Sequence, residues 1–268
     1  MTHPLLSVSQ LCTYSWSFAQ DLALWDDLGL HQAGLLVNKI DEYGHETTVA
    51  ALKEHSIAAT TLITSNFNLS APDSWAATRE RINGLVDLAV QVGGCPYFTP
   101  GPGDGRSVAQ ATAAFVEAVA PCVTYADSHG VRLAIEPTTR PDRSFIHTLR
   151  DGIRVAEAAG VGLVVDIGNC WADDDLPITL RQAGSLIAMV QVCDIVVDAA
   201  GAPGPGDRAV PGDGNLAIDA FIEAALAAGY TGAFELELLG PRIETEGYAA
   251  ATRRAVERMN TLLEKVLR

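Results

Sequence analysis

The chain has 268 residues, 48% hydrophobic and 19% charged, and a formal net charge of −15 at pH 7. That balance excludes a disordered chain and supplies apolar material for one large core. The acidic surplus excludes nucleic acid and anionic membranes as partners, because both need a positive field, and leaves small molecules.

In chain order, short β-type runs alternate with helical ones from end to end. Strands are predicted at 7–13 (SVSQLCT), 33–38 (AGLLVN), 59–65 (ATTLITS), 95–100 (CPYFTP), 131–137 (VRLAIEP), 162–167 (GLVVDI), 189–194 (MVQVCD) and 232–238 (GAFELEL). The segments between them carry apolar residues every three to four positions and close on Gly, as amphipathic helices do. Ser74 and Ser107 stand where N-caps are wanted, and the acidic run Asp173 to Asp175 where it would cap the sixth helix. Eight strand-helix units predict a single-domain (β/α)8 TIM barrel over residues 1–268, with a doubly wound open sheet as the alternative. No G-x-G-x-x-G turn supports that alternative, and GPGDGRS (101–107) lacks the Lys-Ser/Thr ending of a phosphate loop. The longest irregular stretch, VVDAAGAPGPGDRAVPGDGN (196–215), follows the seventh strand and is a lid or substrate-binding candidate. The longest apolar stretches are strand length or carry charges, and MTHPLLSVSQ lacks a signal-peptide layout, so a cytoplasmic protein without a membrane span is expected. Five scattered cysteines without a C-x-x-C pair read as reduced and packed.

Four of the later strands end in an oxygen donor: Glu136, Asp166, Gln191 and Glu237. At the C-terminal mouth of a barrel these ends converge. Three carboxylates buried together are costly unless a cation sits between them or they share protons. An all-oxygen donor set favours Mn²⁺ or Mg²⁺ over Zn²⁺. Within FELEL, Glu235 and Glu237 share a strand face, so either could supply the last ligand.

These motifs and the strand order resemble the sugar phosphate isomerase/epimerase superfamily, the xylose-isomerase-like barrels. The resemblance implies that Glu136 and Glu237 are the two glutamates that hold the metal and exchange a proton next to a carbonyl, with Asp166 and Gln191 completing the site. Gln191 falls where a His is more usual, Asn169 where the family often has His, and Thr138 where the dehydratase branch places a catalytic His. Arg208 looks like the substrate-contacting Arg after strand seven, and Asn169 and Trp16 are further substrate-binding candidates. Of the six histidines only His45 and His147 are placed to approach the mouth, so a His base is not expected. Lys39 is read as a solvent-facing lysine. The expected activity is divalent-metal-dependent isomerisation or epimerisation of a sugar-like carbonyl compound, with a metal-dependent lyase or dehydratase as the alternative and an inactive ligand-binding barrel as the non-enzyme one. A homo-oligomer is compatible with this type of barrel.

Overall fold

The computed structural model describes residues 2–198, 201, 204 and 206–267. Eight parallel strands close on themselves in sequence order: β1 Leu6–Ser9, β2 Gln32–Leu36, β3 Ala58–Ile63, β4 Gly93–Phe98, β5 Ala134–Ile135, β6 Gly162–Asp166, β7 Ile187–Val192 and β8 Phe234–Leu236. This is the predicted (β/α)8 barrel; every strand ends one to four residues before its expected end, and five begin one or two residues before their expected start.

Local chemistry sets those ends. Predicted strand 7–13 stops at Ser9, whose hydroxyl accepts from Leu11 N and turns Gln10–Thr13 into a 3₁₀ helix. On β5 the ladder runs one residue beyond the strand through Glu136 N to Phe98 O at 3.1 Å, and Pro137, with no N–H, ends it. Glu237 N likewise donates to Val192 O at 3.1 Å just past β8. Both glutamates are therefore held by sheet hydrogen bonds rather than by loop.

Alternation divides each strand between two environments. Leu163 and Val165, Val190 and Val192, and Phe234, Leu236 and Leu238 face the helices in the main core. Their neighbours point into the barrel, where Tyr97, Ala134, Val164 and Met189 form a separate small apolar cluster. Above that layer lie Glu136, Asp166, Gln191 and Glu237, each the next inward residue along its strand or just past it. Between β2 and β3 the register slips by one residue, with Ala33 opposite Ala59 and Gly34 opposite Thr61, so Thr60 is a bulge.

Ser107 caps helix Val108–Ser128 in a full capping box with Gln110. Ser74 does not cap in the expected way: its hydroxyl donates to Ala71 O within a short 3₁₀ turn. The acidic run also differs from expectation. Asp173 Oδ2 accepts from Leu149 N at 2.7 Å and so serves the start of helix Leu149–Ala159 rather than the following one, which is entered through Asp175 in the left-handed region without a side-chain cap. Helix Val108–Ser128 is long and apolar enough to cross a membrane by length and composition, against the expectation from sequence. Its Ala111, Phe115, Ala118, Val119 and Cys122 are instead packed into the main core.

Candidate active site

Glu136, Asp166 and Glu237 converge at the C-terminal mouth, each offering an oxygen within 4.8 Å of the others. All three are buried, at 8%, 2% and 4% exposure, so water screens little of their mutual repulsion. Burial, then the charges of Glu237 and Asp166, hold the Glu136 carboxyl well above the usual range. Burial raises Glu237 to about 8; the Arg208 guanidinium opposes that rise and the Asp166 charge adds to it.

Among the described residues one cation enters this cluster. Arg208 is 5% exposed and grips Asp166 with both terminal nitrogens, at 2.7 and 2.6 Å, while Nη2 also reaches Glu237 Oε1 at 3.5 Å. Its placement follows from the loop after β7. Asp194 accepts from the backbone N–H groups of Ile195, Gly212, Gly214 and Leu216 at 2.8 to 3.0 Å, folding that loop around one carboxylate. Asp194 and Ala209 exchange backbone hydrogen bonds, and Arg208 N donates to Leu239 O, which turns the Arg208 side chain inward. A Cβ on Gly168 would collide with Arg208 Nη1, so the close approach of the guanidinium requires glycine there. Burial opposes the Arg208 charge, but Asp166, Cys193 and Glu237 together outweigh it and hold the group well above its ordinary value.

Asn169, on the short helix Ile167–Cys170, bridges two of the acids: its Nδ2 donates to Glu136 Oε1 at 2.8 Å and to Asp166 Oδ2 at 2.9 Å. Thr138 donates to Asn169 Oδ1 at 3.1 Å, and the His147 ring stands against Thr138 O at 2.9 Å. The position where an imidazole was considered thus carries a hydroxyl that orients the bridging amide. Gln191 is fully buried between Asp166 and Glu235 in register. Its Nε2 donates to Tyr97 Oη at 3.0 Å and to Glu235 Oε1 at 2.9 Å, while its Oε1 has no partner. Tyr97 Oη in turn donates to Glu237 Oε2 at 3.4 Å. Glu235 lies one layer deeper than the triad, with burial raising its pKa. Of the two carboxylates in FELEL, Glu237 is therefore the one that joins the triad.

Trp16 is half-buried, edge-on to Tyr248, and lines a cavity of about 600 Å³ with Glu244 and Gly247 that none of the triad residues lines. His45 pairs with Asp41 on an exposed surface. The lid candidate 196–215 is described only in part, since 199, 200, 202, 203 and 205 lie outside the described residues. Lys39 corrects a sequence reading: it is 2% exposed and donates to Asp21 Oδ2 at 2.8 Å and Thr13 O at 2.9 Å. Tyr97 and Asp21 went unnoticed in the sequence. The inward alternation of CPYFTP could have marked Tyr97, but nothing local to Asp21 identifies its partner.

The residues present fit a divalent cation. Three carboxylates against one guanidinium leave a formal surplus of two negative charges, and all the charged donors are oxygen. Among the described residues the buried Gln191 Oε1 is an acceptor without a partner, which suits a cation, and Arg208 Nε is a donor without one, which suits a substrate oxygen.

No curated protein matches the sequence significantly. Among solved structures, the barrel superposes on the IolI protein with a bound zinc atom at a TM-score of 0.84, with 18% identity and 99% of each chain covered. It is similar to L-ribulose 3-epimerase at a TM-score of 0.79, with 17% identity over 98% of this chain and 95% of that one. It is also similar to D-psicose 3-epimerase from Clostridium cellulolyticum H10 at 0.74, with 15% identity over 100% and 98%. These likenesses show the fold. The sequence matches the xylose isomerase-like TIM barrel family over residues 23–262, and the chain belongs to that family.

Proposed function

We propose that the protein is a divalent-metal-dependent isomerase or epimerase of a small sugar-like ketone or aldehyde, acting by proton transfer at the carbon next to the carbonyl. The observation that carries this reading is the convergence of Glu136, Asp166 and Glu237 at the barrel mouth with a charge surplus that Arg208 does not cancel. The epimerase neighbours support the same reaction class.

Glu136, Asp166 and Glu237 would hold the ion, with Gln191 Oε1 as a further oxygen donor; Mn²⁺ or Mg²⁺ suits this set. Such an ion supplies Lewis acidity that polarises a carbonyl and makes the adjacent C–H acidic. The remaining chemistry belongs to the side chains. Glu237 takes the proton from carbon as the C–H electron pair moves toward the carbonyl. Glu136 returns a proton to the opposite face, which inverts the centre. Asn169 keeps one oxygen of Glu136 engaged and so fixes the orientation of the other. Arg208 steadies Asp166 and keeps its Nε as a donor for substrate oxygen. Trp16 and Tyr248 would form an apolar edge for a sugar ring or its substituent.

The test is exchange in D₂O. Protein supplied with Mn²⁺ is incubated with a panel of ketoses and cyclic polyol ketones, and the recovered sugars are read by mass spectrometry and proton NMR. Deuterium at the carbon beside the carbonyl, lost in Glu237→Gln, is the expected result. A panel that stays protonated with metal-loaded protein would refute the reaction.

A further inference from the structure

Beneath the triad lies a carboxylate that the reaction does not use. Glu235 is 0% exposed, yet four side chains converge on it: Thr60 at 2.6 Å, Thr61 at 2.9 and 3.0 Å, Gln191 at 2.9 Å and Ser7 at 3.3 Å. The barrel is shaped around it. The bulge at Thr60 lets two consecutive threonine hydroxyls reach the same carboxylate, whereas regular alternation would turn one of them outward. Gly34 stands where a Cβ would lie 2.5 Å from Glu235 Oε2 and from Thr61 Oγ1. An apolar residue would fill the same space without a desolvation cost, so the arrangement calls for a role.

The role follows from the polarity of the hydrogen-bond chain. An amide presents two ends of nearly equal shape, and its partners decide which end faces where. Glu235 and Tyr97 Oη occupy both donors of Gln191 Nε2, which leaves Gln191 Oε1 free of any partner. Because Tyr97 Oη already accepts from Gln191, its single hydrogen goes to Glu237 Oε2, and Glu237 Oε1 remains on the side of Arg208. The donors therefore diverge from Gln191 Nε2, one hydrogen going down to the deep carboxylate and the other through Tyr97 to the mouth, and reversing the amide would break both bonds.

We infer that Glu235 is a positioning residue that, through Gln191 and Tyr97, fixes the free oxygens of Gln191 and Glu237 and so sets the affinity of the mouth for its divalent ion. The inference rests on the metal reading above and names the device by which a glutamine serves at this strand end. Removing Glu235 frees the amide to turn, and outer partners of this kind are worth about 10 to 100-fold in metal affinity.

Calorimetric titration of the full chain with MnCl₂ tests it on wild type, Glu235→Gln, Tyr97→Phe and the double variant. Mn²⁺ binding is expected to weaken about tenfold or more in each single variant, and no further in the double, because both cut one chain. A second readout is the side-chain amide NMR signal of Gln191. Its protons exchange slowly with solvent in wild type and faster in Glu235→Gln, which a merely space-filling Glu235 would not produce. Single variants that bind Mn²⁺ as wild type does, or losses that simply add, overturn the inference. If Glu235→Gln does not fold, Tyr97→Phe, which removes one oxygen, decides by its own affinity. A wild type that takes up no Mn²⁺ ends the metal reading itself, a different outcome from unchanged variants.

Discussion

Two buried ion pairs near the top of the barrel have almost the same length and opposite meanings. Lys39 and Asp21 meet at 2.8 Å and Arg208 and Asp166 at 2.6 Å, all four side chains at 5% exposure or less. Around the first, charges balance one to one, and Asp21 also accepts from Gln10 at 2.8 Å and Thr13 at 2.6 Å. Burial pushes Asp21 up and Lys39 down, toward neutral forms, and each partner resists the other's shift. Around the second, Glu136 and Glu237 join Asp166 against the single guanidinium. A balanced pair fastens helices Phe18–Leu28 and Val37–Tyr43 to the 3₁₀ helix Gln10–Thr13 that follows β1; the unbalanced one leaves the negative surplus on which the proposed cation site rests.

The largest expected effect separates chemistry from scaffold. Glu237→Gln should reduce turnover of the substrate found by deuterium exchange about 10² to 10⁴-fold, the usual worth of a positioned acid-base group, while far-UV circular dichroism stays that of the barrel. Equal loss in Asp21→Asn, measured under conditions where both variants are folded, would break the contrast and make the triad no more special than the Lys39 pair. Next comes stability. Asp21→Asn strands a buried ammonium and should cost about 3–5 kcal/mol in urea denaturation. Glu136→Gln should do the reverse in metal-free protein, raising stability, because it removes one of three repelling carboxylates while Asn169 can still be paired. Two losses of the same sign would mean that the acids are structural.

A cation sharpens the comparison further. Mn²⁺ at about a hundred times its dissociation constant should add about 2.7 kcal/mol to the unfolding free energy of wild type. The same increment is expected in a folded Lys39→Met variant and none in Glu136→Gln. Thermal denaturation with and without the ion reads all three.

How much of this was open to sequence reading depends on whether the signal lies along one strand or between strands. FELEL and LVVDIGN announce their inward acids by alternation, and the barrel rule brings their ends to one mouth, so the triad and the eight-strand count were legible. Lys39 was misread because only the fold brings Asp21, eighteen residues away, beneath it. The place of Asp173 depends on Leu149 from the preceding unit. Tyr97 and Thr60 owe their roles to register, and a one-residue slip such as the bulge at Thr60 leaves no mark in composition. The orientation of Arg208 depends on a loop folded around Asp194, whose four backbone donors no motif records.

The smallest effect, per unit of the variable changed, is in pH. Glu136 and Glu237 titrate above their ordinary range in the folded chain, so the folded state binds protons more tightly than the unfolded one. For groups raised in this way the stabilisation is complete below the unfolded value, about 4.5, and is lost as pH rises through the folded value, about 8 for Glu237. Metal-free protein should therefore gain stability on going from pH 8 to pH 5, by up to about 1.4 kcal/mol per pH unit for each proton taken up. The ion must displace those protons, so Mn²⁺ affinity should change in the opposite direction, weakening as pH falls over the same window. The Lys39 pair gives no such reciprocity, because no ion competes for Asp21. Urea titrations at pH 5, 6, 7 and 8, with and without Mn²⁺, would show the two stability curves diverging toward high pH. Parallel curves would mean that the cation, wherever it binds, does not bind at these carboxylates.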